Sequence, residues 1–348
     1  MKYDKFVHGK IDEFKQWYDI DGNIINASDG GVIFADGKYW WYGMKLQPLP
    51  VGKGGIGGQV TRVGVVMYSS IDLYNWKYEG VILNTSNDPN NELFAPVRFE
   101  RPKIVYNAQT KKFVLWCHFV KSPGDHGFTP GTAEAGVAVC DTVNGTYEWL
   151  GTTRPVCENS LVRDFSMYKD KDGAAYIIFD RELLQEGATS FSYDTNPVKA
   201  DRCIYVVKLS DDYLSCSNEY IRVEAGFWRE AAAIVEQNGY YFMFTSGLTG
   251  WRTNPALYLR SKSLLGEWEI VGDPCVNDVT RTTFETQSTF IFPVHGKEGQ
   301  FIIMLERHNT QNFEECSYIW LPIMFPTKDT MAVAYHEEWS LADYFTIK

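Results

Sequence analysis

The sequence predicts an all-β protein, a five-bladed β-propeller with four antiparallel strands per blade around a central pocket. Two observations carry this. First, a β-hairpin headed by one polar residue recurs five times, with heads at Asp29, Glu100, Asp164, Glu230 and Gln287. The heads are spaced at roughly 57 to 71 positions, and self-similarity at a fixed period is the signature of a repeat architecture. Second, each hairpin is followed by two further short apolar segments before the next begins. One four-stranded sheet repeated around an axis is a propeller. A large β-sandwich is the alternative, although a sandwich does not call for five equivalent hairpins.

The clearest hairpin is the fourth. Glu230 leads Ala231-Ala232-Ala233-Ile234-Val235, the chain reverses at Gln237-Asn238-Gly239, and Tyr240-Tyr241-Phe242-Met243-Phe244 returns. Asn-Gly between apolar runs is a strong short-range hairpin signal. The same design places hairpins after Asp29 (turn at Asp36-Gly37), Glu100 (turn at 107–110), Asp164 (turn at 170–173) and Gln287 (turn at His295-Gly296). The outer strands follow around 64–68 and 76–83, 135–139 and 147–150, 203–209 and 220–223, 256–260 and 268–271, and 318–322 and 332–336. The blades therefore span about 24–95, 96–160, 161–225, 226–276 and 277–348, and residues 1–348 form a single domain. Residues 1–23 are an entry segment expected to pack on the first or last sheet.

Hydrophobic residues make up 45% and aromatics 15% of the chain, enough for a large β-rich core, and no apolar run is long enough to span a membrane. The net charge of -11 repels phosphate backbones, which argues against a nucleic-acid partner and favours neutral ligands. Seven cysteines without a Cys-x-x-Cys pair give no disulfide framework and no zinc site. The six histidines show no metal-ligand spacing. The first residues, Met1-Lys2-Tyr3-Asp4-Lys5, open no apolar signal segment, as expected of a protein that stays inside the cell or one whose export signal has been removed.

In a propeller the first strand of each blade lines the central channel, so the five hairpin heads converge on one pocket. Four of them are carboxylates, and each ionisation there makes the next harder. Glycoside hydrolysis uses such a set: one carboxyl kept protonated to donate to the leaving oxygen, and one ionised carboxylate to activate water. Trp228 and Trp251 are candidate platforms for a sugar ring, with a core role as the alternative for Trp251.

With these residues the chain resembles glycoside hydrolase family 43, five-bladed propeller enzymes that act on arabinose-, xylose- and galactose-containing glycans. The resemblance covers nearly the whole chain. It is strongest to the group containing exo-β-1,3-galactanases, through Phe99-Glu100-Arg101-Pro102-Lys103, Ser210-Asp211-Asp212-Tyr213-Leu214, Arg229-Glu230-Ala231, Thr286-Gln287-Ser288-Thr289 and Tyr318-Ile319-Trp320-Leu321-Pro322. It implies that Glu230 is the general acid, that Asp164 tunes its pKa and that Asp29 is the general base, here followed by Gly30-Gly31 where the family usually has Pro. In the galactanase-like group that Asp is generally missing, and a Gln of blade five with the Glu of blade two takes over its work. Those positions match Gln287 and Glu100, so this chain carries both systems. A carboxylate is a better base than an amide at neutral pH, which favours Asp29 and keeps Gln287 as the alternative.

The resemblance thus implies an inverting, exo-acting glycoside hydrolase acting on oligo- or polysaccharide, releasing galactose from β-1,3-galactan or related side chains. An α-L-arabinofuranosidase or β-xylosidase is the alternative within the family, and a glycan-binding propeller without catalysis the alternative from another class. Glu100, Gln287, Trp228 and Trp251 are the expected substrate-binding residues. No cofactor is required; some relatives carry a channel calcium ion, and nothing in this sequence demands one. Structural alternatives stand beside the chemical ones: Glu230 pairing with Arg229, Asp164 with Arg163, and Asp29 capping a turn at Gly30-Gly31. The loop Gly52-Lys53-Gly54-Gly55-Ile56-Gly57-Gly58 lacks Gly-Lys-Ser/Thr and reads as a rim loop, not a phosphate cradle.

Overall fold

The computed structural model describes residues 2–47, 61–94, 97–121, 133–183, 202–224, 228–250 and 252–344. The Gly52–Gly58 loop and Trp251 lie outside the described residues. A short strand β1 (Phe6–Val7) precedes the first sheet, β2 (Ser28–Ala35), β3 (Lys38–Gln47), β4 (Thr61–Ser70) and β5 (Lys77–Asn84). The second sheet is β6 (Val97–Asn107), β7 (Lys112–Lys121), β8 (Ala133–Cys140) and β9 (Glu148–Thr153), and the third is β10 (Ser160–Lys169), β11 (Ala175–Leu183), β12 (Cys203–Leu209) and β13 (Cys216–Arg222). The fourth holds β14 (Arg229–Gln237), β15 (Tyr240–Gly247), β16 (Leu257–Ser261) and β17 (Glu269–Gly272); the fifth holds β18 (Gln287–Pro293), β19 (Phe301–Arg307), β20 (Ser317–Met324) and β21 (Ala332–Val333). A last strand, β22 (Glu338–Trp339), ends the series. Within each of the five sheets the strands run in chain order and pair antiparallel, so each is an up-and-down blade.

The innermost strands β2, β6, β10, β14 and β18 each contact the next, and β18 returns to β2, which closes the ring. They are buried on both faces, as the unbroken apolar run Ala231 to Val235 requires, whereas an outermost strand such as β13 has no buried residue and is exposed through its centre. The hairpins turn where the sequence signals them. Asp36 and Gly37, and likewise Asn238 and Gly239, all have positive φ, the backbone of the tight turn whose twist matches the flanking strands.

Among the described residues the hydrophobic core is five main layers, one between each pair of neighbouring blades, with two small clusters around Met44 and Val120 besides. The layer between blades one and five is the most aromatic, with Trp41 and Trp76 against Phe292 and Trp320, and both chain ends enter it through Phe6, Trp339 and Tyr344. Phe6 pairs with Trp339 in the β1–β22 ribbon and its ring packs on Trp17, Tyr74 of blade one and Trp320 of blade five. The entry segment therefore bridges the first and last blades instead of lying on one of them. Phe6→Ala should cost about 3–5 kcal/mol in a denaturant titration, because it empties the seam that closes the ring. A loss under about 1 kcal/mol would show that the ring closes without it.

None of the seven cysteines forms a disulfide. Among the described residues no helix is long and apolar enough to cross a membrane.

Candidate active site

Each innermost strand changes register once, and the break falls at or within two residues after the residue heading the hairpin. The shifts lie between Ser28 and Gly31, Glu100 and Lys103, Val162 and Phe165, Glu230 and Ala233, and Ser288 and Phe290. A bulge sets two residues against one, bends the strand and re-aims a side chain, here toward the ring axis. In three blades the bulge holds a non-glycine residue in the left-handed region: Asp29 (φ 55°), Arg101 (φ 49°) and Ala231 (φ 55°). Each such residue costs roughly 1–3 kcal/mol and persists only where its surroundings over-determine it. Gly30 is required by close approach, since a Cβ there would lie 1.6 Å from the Tyr42 carbonyl oxygen. Asp29 and Gly30 are thus inside β2, and the alternative of Asp29 capping a turn is corrected.

The five heads come together. Asp29, Glu100, Asp164, Glu230 and Gln287 line one pocket of about 120 Å³, completed by Arg101 and Gly250. Arg101 is its hub and is almost wholly buried. Its Nη2 donates to Gln287 Oε1 at 2.7 Å and its Nη1 to the Ser288 carbonyl at 2.8 Å. Its Nε lies 3.0 Å from Asp164 Oδ2, and Nη2 lies 3.7 Å from Asp29 Oδ1. Lys103, fully buried two residues on, donates from Nζ to the Asp29 carbonyl at 2.9 Å. Burial, followed by repulsion from Arg101, brings the Lys103 pKa well below its ordinary value.

The carboxyl groups are driven apart in acidity. Burial acts to raise the pKa of Asp29, but the Arg101 charge, the His308 imidazole and Lys103 outweigh it and hold this carboxyl below the usual range. His308 Nε2 is 3.6 Å from Asp29 Oδ1 and 3.8 Å from Glu306 Oε1. Glu306 accepts from the Ser28 hydroxyl at 2.5 Å and from the Asp29 N–H at 2.8 Å, and burial plus the Asp29 charge push its pKa up to about 7. Glu230 goes the other way from Asp29. Burial first, then the charges of Asp164 and Asp180, raise it well above an ordinary glutamate, with Arg202 and Arg101 opposing. Gln287 Nε2 donates to Glu230 Oε1 at 3.0 Å, so a proton on this acid resides on Oε2. Two carboxyls with opposite shifts in one pocket give an acid and a base at the same pH.

The neighbouring arginines are engaged elsewhere. Arg229 donates from Nη2 to the Thr245 carbonyl at 2.6 Å and from Nε to the Thr245 hydroxyl at 3.0 Å, and no ion pair joins it to Glu230. Arg163 pairs with Glu182 at 2.5 Å instead of with Asp164. Glu100 faces the pocket with His118 Nδ1 2.9 Å from its Oε2. Trp228 is half-buried just ahead of β14 with φ 63° and does not line the pocket.

Among the described residues, Asp29, Glu306 and His308 are the group whose ligand-type atoms lie within 4.8 Å of one another. An imidazole beside two carboxylates already held by Ser28, the Asp29 N–H and Arg101 does not resemble the roughly six to eight oxygens calcium takes. Arg101, Lys103, Glu306 and His308 were given no role in the sequence. Lys103, directly ahead of the apolar run Ile104-Val105-Tyr106, and Glu306-Arg307-His308, ending the run Ile302 to Leu305, are the sequence signals for them.

Residues 56–308 match the family model for Glycosyl hydrolases family 43. A solved family 43 β-1,3-galactosidase is 30% identical, with a TM-score of 0.82 over 99% of this chain and 65% of its own. A second β-1,3-galactosidase of that family, solved with galactodeoxynojirimycin, is 31% identical with a TM-score of 0.81 over 97% of this chain and 100% of its own. An exo-β-1,3-galactanase from Clostridium thermocellum is 29% identical with a TM-score of 0.77 over 97% and 66%. The chain thus spans just under two thirds of the first and third of these. No curated protein matches it.

Proposed function

Starting from the fact that this chain belongs to glycosyl hydrolases family 43 and is a glycosidase, we propose that it is an inverting, exo-acting enzyme that releases galactose from the end of β-1,3-linked galactan or related side chains. The observation that carries this reading is the small pocket itself, about 120 Å³ and holding a carboxyl raised in pKa beside one lowered in pKa. A space of that size suits one terminal sugar ring and not the middle of a chain.

In this reading Glu230 donates the proton on Oε2 to the glycosidic oxygen as the bond from C1 to that oxygen breaks. Asp29 takes a proton from the water that bonds to C1 from the opposite face, which inverts the anomeric centre. Inversion calls for carboxyl groups roughly 6.5–9.5 Å apart, with water between base and sugar. Gln287 is a weaker candidate for base, because its amide oxygen accepts from Arg101 and its amide nitrogen donates to the acid. Asp29 Oδ1 is buried between Arg101 Nη2 at 3.7 Å and His308 Nε2 at 3.6 Å, two cationic or polarisable groups that favour its ionised form. Asp164, between Arg101 and the acid, keeps negative charge near Glu230 and so keeps it protonated.

The test is hydrolysis of β-1,3-galacto-oligosaccharides beside aryl β-galactoside, α-L-arabinofuranoside and β-xyloside, with products followed by chromatography and the anomer by NMR. Stepwise galactose released as the α-anomer is the expected result. Cleavage of a pentoside alone would move the substrate, and release of the β-anomer would overturn inversion.

Arg101 acts in this scheme as a positioning residue. Arg101→Lys keeps the charge but loses the planar fork that reaches Gln287, Ser288 and Asp164 together. It should lower kcat on the order of 10²-fold through misplacement of the reacting groups. The acid limb of the pH profile should also move to higher pH, because the shorter lysine holds its charge farther from Asp29 than the guanidinium does and keeps it ionised less effectively. An acid limb that stays in place would separate Arg101 from the base.

A further inference from the structure

Glu230 and Ser246 are direct cross-strand partners in the β14–β15 pair, so their side chains leave the sheet on the same face. Ser246 is buried, and none of the steps above uses it. Its hydroxyl oxygen accepts from Gln287 Nε2 at 3.4 Å, the same nitrogen that donates to Glu230 Oε1 at 3.0 Å. Arg101 Nη2, bonded to Gln287 Oε1 at 2.7 Å, fixes which end of this amide is the oxygen. Both N–H groups of the Gln287 amide are therefore assigned, one to the general acid and one to Ser246.

Asn254, in the segment leading into β16, holds that hydroxyl in turn. Its Nδ2 donates to Ser246 Oγ at 3.0 Å, to the Gly247 carbonyl at 3.0 Å and to the Thr249 hydroxyl at 2.8 Å, while its Oδ1 accepts from the Gly247 N–H at 2.6 Å. With N–H groups of Asn254 and Gln287 both directed at it, the Ser246 oxygen is an acceptor, and its own proton goes to the Gly247 carbonyl at 3.3 Å or to Asn254 Oδ1 at 3.4 Å. A Cβ on Gly247 would lie 2.9 Å from Asn254 Oδ1, so the glycine is what admits the amide. From the other side the Thr283 hydroxyl donates to the Asn254 carbonyl at 2.7 Å, which ties this clip to the segment that runs into Gln287. The loop that Asn254 closes carries Gly250, part of the pocket wall.

We infer that Ser246 and Asn254 are positioning residues for acid catalysis, which anchor the second N–H of Gln287 so that the first stays aimed at Glu230 Oε1. When Glu230 gives its Oε2 proton to the leaving oxygen it becomes a carboxylate, and a hydrogen bond to a charged acceptor is stronger than one to a neutral acid. The Gln287 N–H thus stabilises the state in which the proton has left, and does so best if it need not reorient at that moment. An amide pinned at its oxygen by Arg101 and at its nitrogen by Ser246 is already in place. The inference rests on Glu230 being the general acid and adds what holds the group that supports it.

The experiment compares kcat and KM on β-1,3-galactobiose, whose leaving oxygen needs a proton, with those on dinitrophenyl β-galactoside, whose leaving group does not. Ser246→Ala and Asn254→Ala should each lower kcat on galactobiose about fivefold to tenfold, the effect of one lost hydrogen bond, with KM and the dinitrophenyl rate moving less than about twofold. In a Gln287→Ala background, Ser246→Ala should have no further effect, because no amide is left to hold. Thermal melting checks that each variant is folded, and either of the two single substitutions carries the test if the other does not fold. Equal losses on the two substrates, or losses that multiply when Ser246→Ala and Gln287→Ala are combined, would overturn the positioning role. Glu230→Gln, measured beside them, separates the two readings. A loss confined to galactobiose in Glu230→Gln with equal losses in Ser246→Ala would overturn the positioning role alone, and equal losses in Glu230→Gln would overturn the acid on which it rests.

Discussion

Glu230→Gln is expected to lower kcat on β-1,3-galacto-oligosaccharides by about 10²–10⁴-fold, the usual contribution of a general acid, with galactose still bound. The amide keeps the shape of the side chain and its contact with Gln287 but carries no proton that it can give to the leaving oxygen. The loss should depend on the leaving group. A dinitrophenolate departs without protonation, so the dinitrophenyl β-galactoside should be spared most of the effect, and an equal loss on both substrates would argue against the role. The pH profile gives a second measurement. Burial and the Asp164 and Asp180 charges raise the Glu230 pKa, so activity in the parent should persist above the ordinary carboxyl range and fall as pH rises through that raised value. Removing one of the charges, as in Asp164→Asn, lowers the Glu230 pKa and should shift the basic limb to lower pH.

Asp29→Asn should lower kcat by about 10²–10⁴-fold as well, and Gln287→Ala by clearly less. The substitution is well suited to the question. Asn tolerates the left-handed backbone at this position, where φ is 55°, so a loss of turnover reports on chemistry more than on folding. Against burial, Arg101 and then His308 keep the parent carboxylate ionised, and that ionised oxygen is what the asparagine lacks. Gln287→Ala removes a hydrogen bond to the acid and one to Arg101, which should disturb positioning more than proton transfer. The reverse ranking would transfer the base to Gln287, and equal losses would mean that the amide and the carboxylate act together.

Much of this protein follows from short-range pattern. Asn238-Gly239 and Asp36-Gly37 determine their turns because those residues reach positive φ at little cost, and the apolar runs beside them determine strands buried on two faces. Repetition of that unit was enough for the propeller and for the convergence of Asp29, Glu100, Asp164, Glu230 and Gln287, because equivalent positions in equivalent blades must face the same axis. What the sequence could not decide is the protonation of these groups. Asp29 and Glu230 are both carboxyls at the mouths of apolar hairpins, and nothing within a few residues of either predicts opposite shifts. The tertiary structure decides it through partners far away in the chain: Arg101 of blade two reaching Asp29, Asp164 and Gln287, and Glu306 and His308 of blade five lying behind Asp29. The bulge in every inner strand was equally hidden, since a register shift depends on the neighbouring strand. Electrostatic energies fall with distance in space, and distance in space is set only when the five blades close.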